Sequence, residues 1–314
     1  MDELDLRAYQ MLTVNARITY REMSETLGVN VPTAHGRIKG LIDNGIFTRF
    51  YATISPSYLN AVTAQISGVS RFKPLGPHLQ DLVKKDFVEK AFIFGSNLII
   101  VKVIVPRYEF LGNAVEHVHD ALDLQDFQVM LPASVSVGGV PIHNKFVGSK
   151  ELAPMDYRII NALHDDSRRP LVDVAEELDV SVKTVKGRLD RLIESRAIDF
   201  GIHWSPEKSS GIAFVVMIDL KPETNKEAFA RVLNERFGPH IILTMQYHNK
   251  PNFMTAKCWF PTMDRHSEFV SEVEGMGVVK SVNSRVIQST HLYETWRDRV
   301  LRERADAKKA PTSP

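Results

Sequence analysis

Residues 4–42 of this chain return at 155–193 without a gap. The offset is 151 throughout: Leu27 answers Leu178, and Arg37 answers Arg188. Identical pairs include Asp5/Asp156, Arg7/Arg158, Leu12/Leu163, Arg17/Arg168, Glu25/Glu176, Val29/Val180, Thr33/Thr184 and Gly36/Gly187. Most other positions exchange apolar for apolar, as Met23/Val174 and Ile38/Leu189 do. A gapless match of this length marks a duplication, and a period of 151 residues makes it one of whole domains rather than stacked repeats. Two copies of one unit in one chain carry a pseudo-two-fold axis, the symmetry that paired half-sites require.

Length and composition narrow the class. A chain of 314 residues has room for two to four domains with proper cores. Its 44% hydrophobic and 25% charged residues are those of a soluble globular protein. The longest apolar run, Leu98-Ile99-Ile100-Val101, stops at Lys102, so no membrane partner is expected. The acidic start Met1-Asp2-Glu3-Leu4-Asp5 is unlike a signal peptide. The single cysteine, Cys258, rules out an internal disulfide and a cysteine zinc site. A cytoplasmic chain without cofactor or metal is expected. Net charge is +1, so nucleic-acid binding must come from local patches.

Each repeat reads as three helices. Leu4, Ala8, Met11 and Leu12 lie on one helical face. Thr19 with Glu22 forms a capping box that opens a second helix, which Gly28 stops. Asn30 caps a third helix with Pro32 in its first turn, and Asn44-Gly45 ends it. This is a helix-turn-helix signature, and residues 46–54 read as a strand that suits a wing. In the second copy Ser181 caps the third helix, and Asp179 replaces Gly28 at the turn. Third-helix residues meet base edges and phosphates in such modules. The candidates are Val31, Thr33, His35, Arg37 and Lys39, then Ser181, Val182, Lys183, Thr184, Lys186, Arg188 and Arg191, with Arg49 from the wing strand. Residues 1–50 carry six basic and six acidic side chains, and acids crowd the first two helices of the second copy. Modest affinity, strong salt sensitivity and unequal use of the modules are expected.

The pattern then changes. Strands are expected at 61–69, 88–94, 98–105 and 126–131, and helices at 77–85 and 108–122. The second copy repeats the order with strands at 212–220, 241–247, 253–260 and 278–287 and helices at 225–237 and 263–274. Strand, helix, strand, strand, helix, strand is the ferredoxin-like plan. Ala133 to Phe146 reads as a hairpin with a Gly138-Gly139 turn linking the halves. The fold class is α+β: two winged helix-turn-helix domains (1–54 and 149–204), two ferredoxin-like domains (55–148 and 205–290) and a basic tail (291–314). That tail could begin as a helix and touch phosphates, although a solvated end is its default.

With this order, the segments Arg17 to Met23, Leu27-Gly28-Val29 and Arg37 to Ile46, with their partners up to Ile193, resemble the Lrp/AsnC (leucine-responsive/asparagine regulator) family of transcription factors. The resemblance implies duplex DNA as partner, homo-oligomers built here from pseudo-dimeric chains, and a small effector such as an amino acid held by the ferredoxin-like domains. In the family a glycine and an acidic residue between the second and third strands shape the effector site. Gly95 matches the glycine, and Asn97 stands near the acidic position; in copy two Asn249-Lys250-Pro251-Asn252 replaces both. The implied effector residues are Gly95, Ser96, Asn97, His248, Asn249 and Asn252.

A fainter resemblance, from Tyr247 to Phe253 and Trp259-Phe260, is to the sirohaem decarboxylases, which share the architecture and are sometimes fused in tandem. It implies a histidine and an arginine on tetrapyrrole carboxylates. This loop has no arginine, and copy one has no matching histidine. His248 is therefore read as a polar loop residue, and no catalytic residue is assigned. His117 and His119 point to different sides of a helix, and His143 and His291 are read in or beside turns. Cys258 in an apolar strand is read as a core thiol. The conclusion is a DNA-binding regulator; the competing readings are the decarboxylase and a scaffold that has lost DNA binding.

Overall fold

The computed structural model describes residues 1–142, 147 and 151–307. The first module packs α1 (Glu3–Val14), α2 (Tyr20–Leu27) and α3 (Val31–Asp43) around buried Leu6, Leu12, Met23, Ala34 and Ile38. Local chemistry fixes each end. The Asp2 and Asp5 side chains cap each other's backbone N–H at α1, Thr19 and Glu22 do so at α2, and the Asn30 carboxamide accepts from Thr33 N at α3. Gly28 closes α2 at φ +67°, a left-handed turn that a side chain resists. β1 (Phe47–Ile54) follows.

The first ferredoxin-like unit runs β2 (Val62–Ser70), α4 (Leu79–Leu82), β3 (Val88–Phe94), β4 (Leu98–Val105), α5 (Leu111–Leu122) and β5 (Leu124–Met130). A hairpin of β6 (Pro132–Val137) and β7 (Val140–Ile142) turns through Gly138 and Gly139, both at positive φ as a type I′ turn requires. The second module holds α6 (Pro154–Ala162), α7 (Leu171–Glu177), α8 (Val182–Glu194) and β8 (Ile198–Trp204). Asp179 at φ +54° takes the left-handed place of Gly28. Then come β9 (Ile212–Leu220), α9 (Lys226–Phe237), β10 (Ile241–Tyr247), β11 (Lys250–Phe260), α10 (Met263–Glu274), β12 (Val279–Leu292) and α11 (Trp296–Asp306).

Both units have the ferredoxin-like strand order, β5-β2-β4-β3 and β12-β9-β11-β10. The sheets are stitched by strands that change partners. β12 pairs with β9 up to Val286, then with β3 of the other copy from Ile287 to Leu292. β5 and β6 mirror this: β5 lies on β2, and β6, after Leu131 alone, lies on β10. The ladder thus runs from β5 through both copies to β6 and returns to its start. The sheets' helix-covered faces form two separate cores. Their other faces meet, with Phe94 and Ile100 of copy one joining Ala213, Ile242 and Trp259 of copy two in one cluster.

Several expectations need correction. The helix expected at 77–85 is a 3-10 turn at Gly76–His78 and then only Leu79–Leu82, after which Lys84 N closes a turn on Asp81 O. β11 begins at Lys250, so Asn252 lies in a strand and the loop shrinks to His248-Asn249. β12 extends to Leu292, which puts His291 inside a strand. The hairpin does more than link the halves, since β6 extends the second sheet; His143 lies outside the described residues. The tail is no solvated end through its first turns. Trp296, Arg297, Asp298 and Leu301 are buried, and α11 packs on α6 and β1. Lys308 and Lys309 lie outside the described residues.

Candidate nucleic-acid interface and ligand cleft

α3 and α8 turn one face into their modules and the other to solvent. Val31, Thr33, His35 and Lys39 are exposed on α3, as are Ser181, Val182, Lys183, Thr184, Lys186 and Arg191 on α8. The His35 ring meets Tyr20 edge-on with centres 4.9 Å apart. The Ser181 hydroxyl accepts from Thr184 N at 3.1 Å, which caps α8. Gly36 and Gly187 hold the same outward position in the two helices, and a Cβ there would meet nothing within 4 Å. A helical glycine costs roughly 1 kcal/mol against alanine. Nothing in the module's packing asks for that cost, and the bare backbone admits a close surface.

Three candidate cations are already engaged. Arg37 Nη1 lies 2.7 Å from Asp2 and 2.9 Å from Asp5, both at the start of α1. Arg188 Nη1 lies 2.8 Å from Asp156, the counterpart of Asp5. The hydrogen bond to Asp2 pushes the Arg37 pKa up despite partial burial. These arginines fasten the third helix to the first in each module. Arg49 spends its guanidinium on Asp165 of the other copy, at 2.6 Å. Each of the three charges is thus met by a carboxylate of the protein, that of Arg49 by an exposed one.

The joint between the modules was missed from sequence. β1 and β8 pair with each other, antiparallel, from Arg49↔His203 to Ile54↔Ile198. Beside this ribbon two arginines make reciprocal contacts. Arg17 Nη1 donates to the carbonyls of Ser167 and Arg169, and Arg168 Nη1 donates to those of Ala16 (2.7 Å) and Ile18 (3.2 Å). The Arg168 guanidinium also lies over the Tyr20 ring at 4.9 Å. Burial and then the neighbouring Arg168 charge lower the Arg17 pKa. The signal was present, since Arg17 and Arg168 are an identical pair in the repeat.

The implied effector residues lie at the sheet ends. Gly95 turns at φ +58° beside exposed Ser96, and Asn97 Nδ2 donates to Ser70 O at 2.8 Å. Asn249 straps two strands: its Nδ2 donates to Val129 O and its Oδ1 accepts from Leu131 N. His248 and Asn252 are exposed. None of the six lines the nearby cleft of about 340 Å³ between the two sheets. That cleft sits on the internal pseudo-dyad, for its walls carry matched pairs: Ser67 faces Gln128 across β2/β5 as Met217 faces Asn283 across β9/β12. The match fails at Met130 and Arg285, which puts a cation on one wall only. Asp126, at φ +46°, lies where β5 breaks register with β2. His117 Nε2 is 3.0 Å from Leu82 O, and burial pushes the Cys258 thiol pKa up, so neither is poised for chemistry.

Comparison with known proteins places this geometry. The winged helix-turn-helix DNA-binding family matches residues 1–48, and the AsnC-type helix-turn-helix domain matches residues 154–193. An HTH-type transcriptional regulator of Pyrococcus abyssi is 30% identical over 159 residues, 51% of this chain and 98% of that protein. The chain belongs to the Lrp/AsnC family of transcriptional regulators. This Lrp/AsnC chain is also 26% identical to AldR of Mycobacterium tuberculosis over 148 residues, 45% of the chain and 83% of AldR. It is 36% identical to Ptr1 of Methanocaldococcus jannaschii over 69 residues, 22% of the chain and 47% of Ptr1. These relatives are regulators rather than enzymes. The crystal structure of the siroheme decarboxylase NirDL covers 96% of the chain and 98% of itself with a TM-score of 0.59. At 12% identity that likeness is one of fold.

Proposed function

We propose that this Lrp/AsnC chain is a sequence-specific DNA-binding regulator that carries both halves of a dimeric reader in one polypeptide. The observation that carries the reading is the crossed joint. β1 of one module pairs only with β8 of the other, and Arg17 and Arg168 exchange contacts across the same axis. Two outward helices tied in this way suit two half-sites of one duplex. Thr33, His35 and Lys39 serve one half-site, and Lys183, Thr184, Lys186 and Arg191 the other. The second face is the more basic, so it supplies more of the phosphate attraction. A small-molecule effector, where one acts, enters the cleft on the pseudo-dyad, and chains associate further into homo-oligomers in the cytoplasm.

The test begins with capture of bound genomic duplexes at physiological salt. The strongest sequence is then titrated against wild type and the Lys183→Ala/Lys186→Ala double variant. The variant should bind more weakly and lose about one unit of salt slope per phosphate contact removed. Unchanged affinity and slope, or capture of no preferred sequence, would overturn the assignment.

A further inference from the structure

The seam where the wing ribbon meets the two sheets holds more positive groups than its carboxylates serve. Lys102 and Lys257 occupy equivalent places, opposite Gln65 on β2 and Val215 on β9. The neighbouring strand breaks register at the same point in both copies, between Val88 and Lys90 and between Ile241 and Leu243. The residue in the break is Glu89 in copy one and Ile242 in copy two. Glu89 lies 2.5 Å from Lys102 and 2.6 Å from Arg297. Among the described residues no carboxylate pairs with Lys257, and Ile242 stands, fully buried, where copy one has Glu89. The Lys257 Nζ instead lies 4.2 Å from the Trp204 ring centre, 5.7 Å from Phe92 and 5.8 Å from Tyr9. Lys90 Nζ is 5.9 Å from the same Phe92 ring.

Donors without acceptors gather around these lysines. Trp204 Nε1 and Thr290 Oγ1 are unpartnered on side chains 2% and 8% exposed. Thr290 is the cross-strand partner of Phe92, so both side chains share one face. His203 Nδ1 is 2.5 Å from the Thr48 hydroxyl, and its buried Nε2 is unpartnered. Burial, followed by repulsion from Lys90, pushes the Lys257 pKa well below the usual lysine range. Burial, partly offset by Glu89, brings Lys90 down to about 8. Burial and the two lysines also lower His203 against a hydrogen bond with the Thr290 backbone and the Glu207 charge, and burial lowers His291 against Glu207. Buried orphaned donors beside partly covered, unpaired cations are costly unless a negative group completes them.

We propose that this seam is an anion-binding site, in which the carboxylate or phosphate of a small acidic molecule answers Lys257 as Glu89 answers Lys102 in the other copy. Lys257, Lys90 and the His203 Nε2–H hold the oxyanion, with the Thr290 hydroxyl and the Trp204 indole N–H as further donors. The surrounding Trp204, Phe92 and Tyr9 rings suit an apolar body behind the acid. Both lysines are only partly covered, which leaves an approach from solvent. Since His203 and Trp204 belong to β8, the bound anion rests at the root of the ribbon that joins the two modules.

The test titrates the full chain with sodium benzoate and, separately, with inorganic phosphate at pH 7 and constant ionic strength. One probe should raise the melting temperature by about 4 °C at saturation. Calorimetry in two buffers of different ionisation enthalpy should show protons taken up as it binds, because the oxyanion favours the charged lysines. Lys257→Met, which keeps the length of the side chain, and Ile242→Glu, which installs the missing carboxylate, should each lose at least about nine-tenths of the shift and the proton uptake. Should Ile242→Glu not fold, Lys257→Met decides alone. A response to benzoate alone identifies a carboxylate ligand, and one to phosphate alone a phosphate ligand. An equal shift in wild type and Lys257→Met, or none with either probe at about 50 mM, far above a millimolar Kd, overturns the site.

Discussion

Arg37 and Arg188 sit where a reading arginine would sit, yet each is bound to an aspartate 32 residues earlier. Their repetition in both copies therefore reports a structural need. Arg37→Ala or Arg188→Ala should cost about 1–2 kcal/mol of stability, read from urea unfolding, because a charged hydrogen bond in a partly covered site is lost. The salt slope of DNA binding should stay as it was, in contrast to the Lys183/Lys186 variant. The partly covered lysines of the seam make a second prediction. Unfolded lysines titrate at ~10.4, whereas burial brings Lys90 down to about 8 and holds Lys257 well below the usual lysine range. Between those values the unfolded chain binds more protons, so stability rises as pH climbs from 8 towards 10. The urea midpoint of wild type should therefore gain on that of Lys257→Met across this window. A parallel pair of curves would show that Lys257 is not held neutral.

At the scale of elements, the β1/β8 ribbon depends on one absent side chain. Gly201 lies opposite Tyr51, and a Cβ there would come within 2.2 Å of the Tyr51 ring. Gly201→Ala should cost about 1–3 kcal/mol, since the half-buried Tyr51 ring must swing aside to admit the methyl group. Thermal melts measure the loss, and duplexes with one base pair added between half-sites should be bound more equally by the variant. The helices of both modules were legible in sequence, because caps at Asp2, Thr19, Asn30 and Ser181 and a 3.6-residue apolar period act within a few residues. The partner change of β12 was not, since its second half pairs with β3 nearly 200 residues earlier, as in Leu292↔Lys90. The same holds for β6 on β10.

For the whole molecule, α11 ties the second module to the first ferredoxin-like unit. Trp296 Nε1 donates to Ile104 O at 2.8 Å, Arg297 donates to Ile54 O at 3.0 Å, and Leu301 is buried in the core shared by α6, α8 and β1. Truncating that leucine removes apolar area from this junction. Leu301→Ala should cost about 2–5 kcal/mol. In calorimetry it should split one unfolding transition into two, as the second module separates from the rest. A single transition, merely lowered, would mean that the ribbon alone couples the modules.

The repeat, the capped helices, the Gly-Gly turn and the order of elements within each ferredoxin-like unit were written into the sequence, because patterns a few residues long mark them. Which strand of one copy lies beside which strand of the other had no local mark, for its hydrogen bonds join residues far apart in the chain. Nor could the sequence tell a free cation from a spent one. Lys186 and Arg188 differ by two positions, but only the folded module brings Asp156 to Arg188 and leaves Lys186 in water. Likewise the contrast between Glu89 and Ile242 has meaning only once the sheets are aligned. It takes that alignment to show that one lysine of the seam is answered and its counterpart is not.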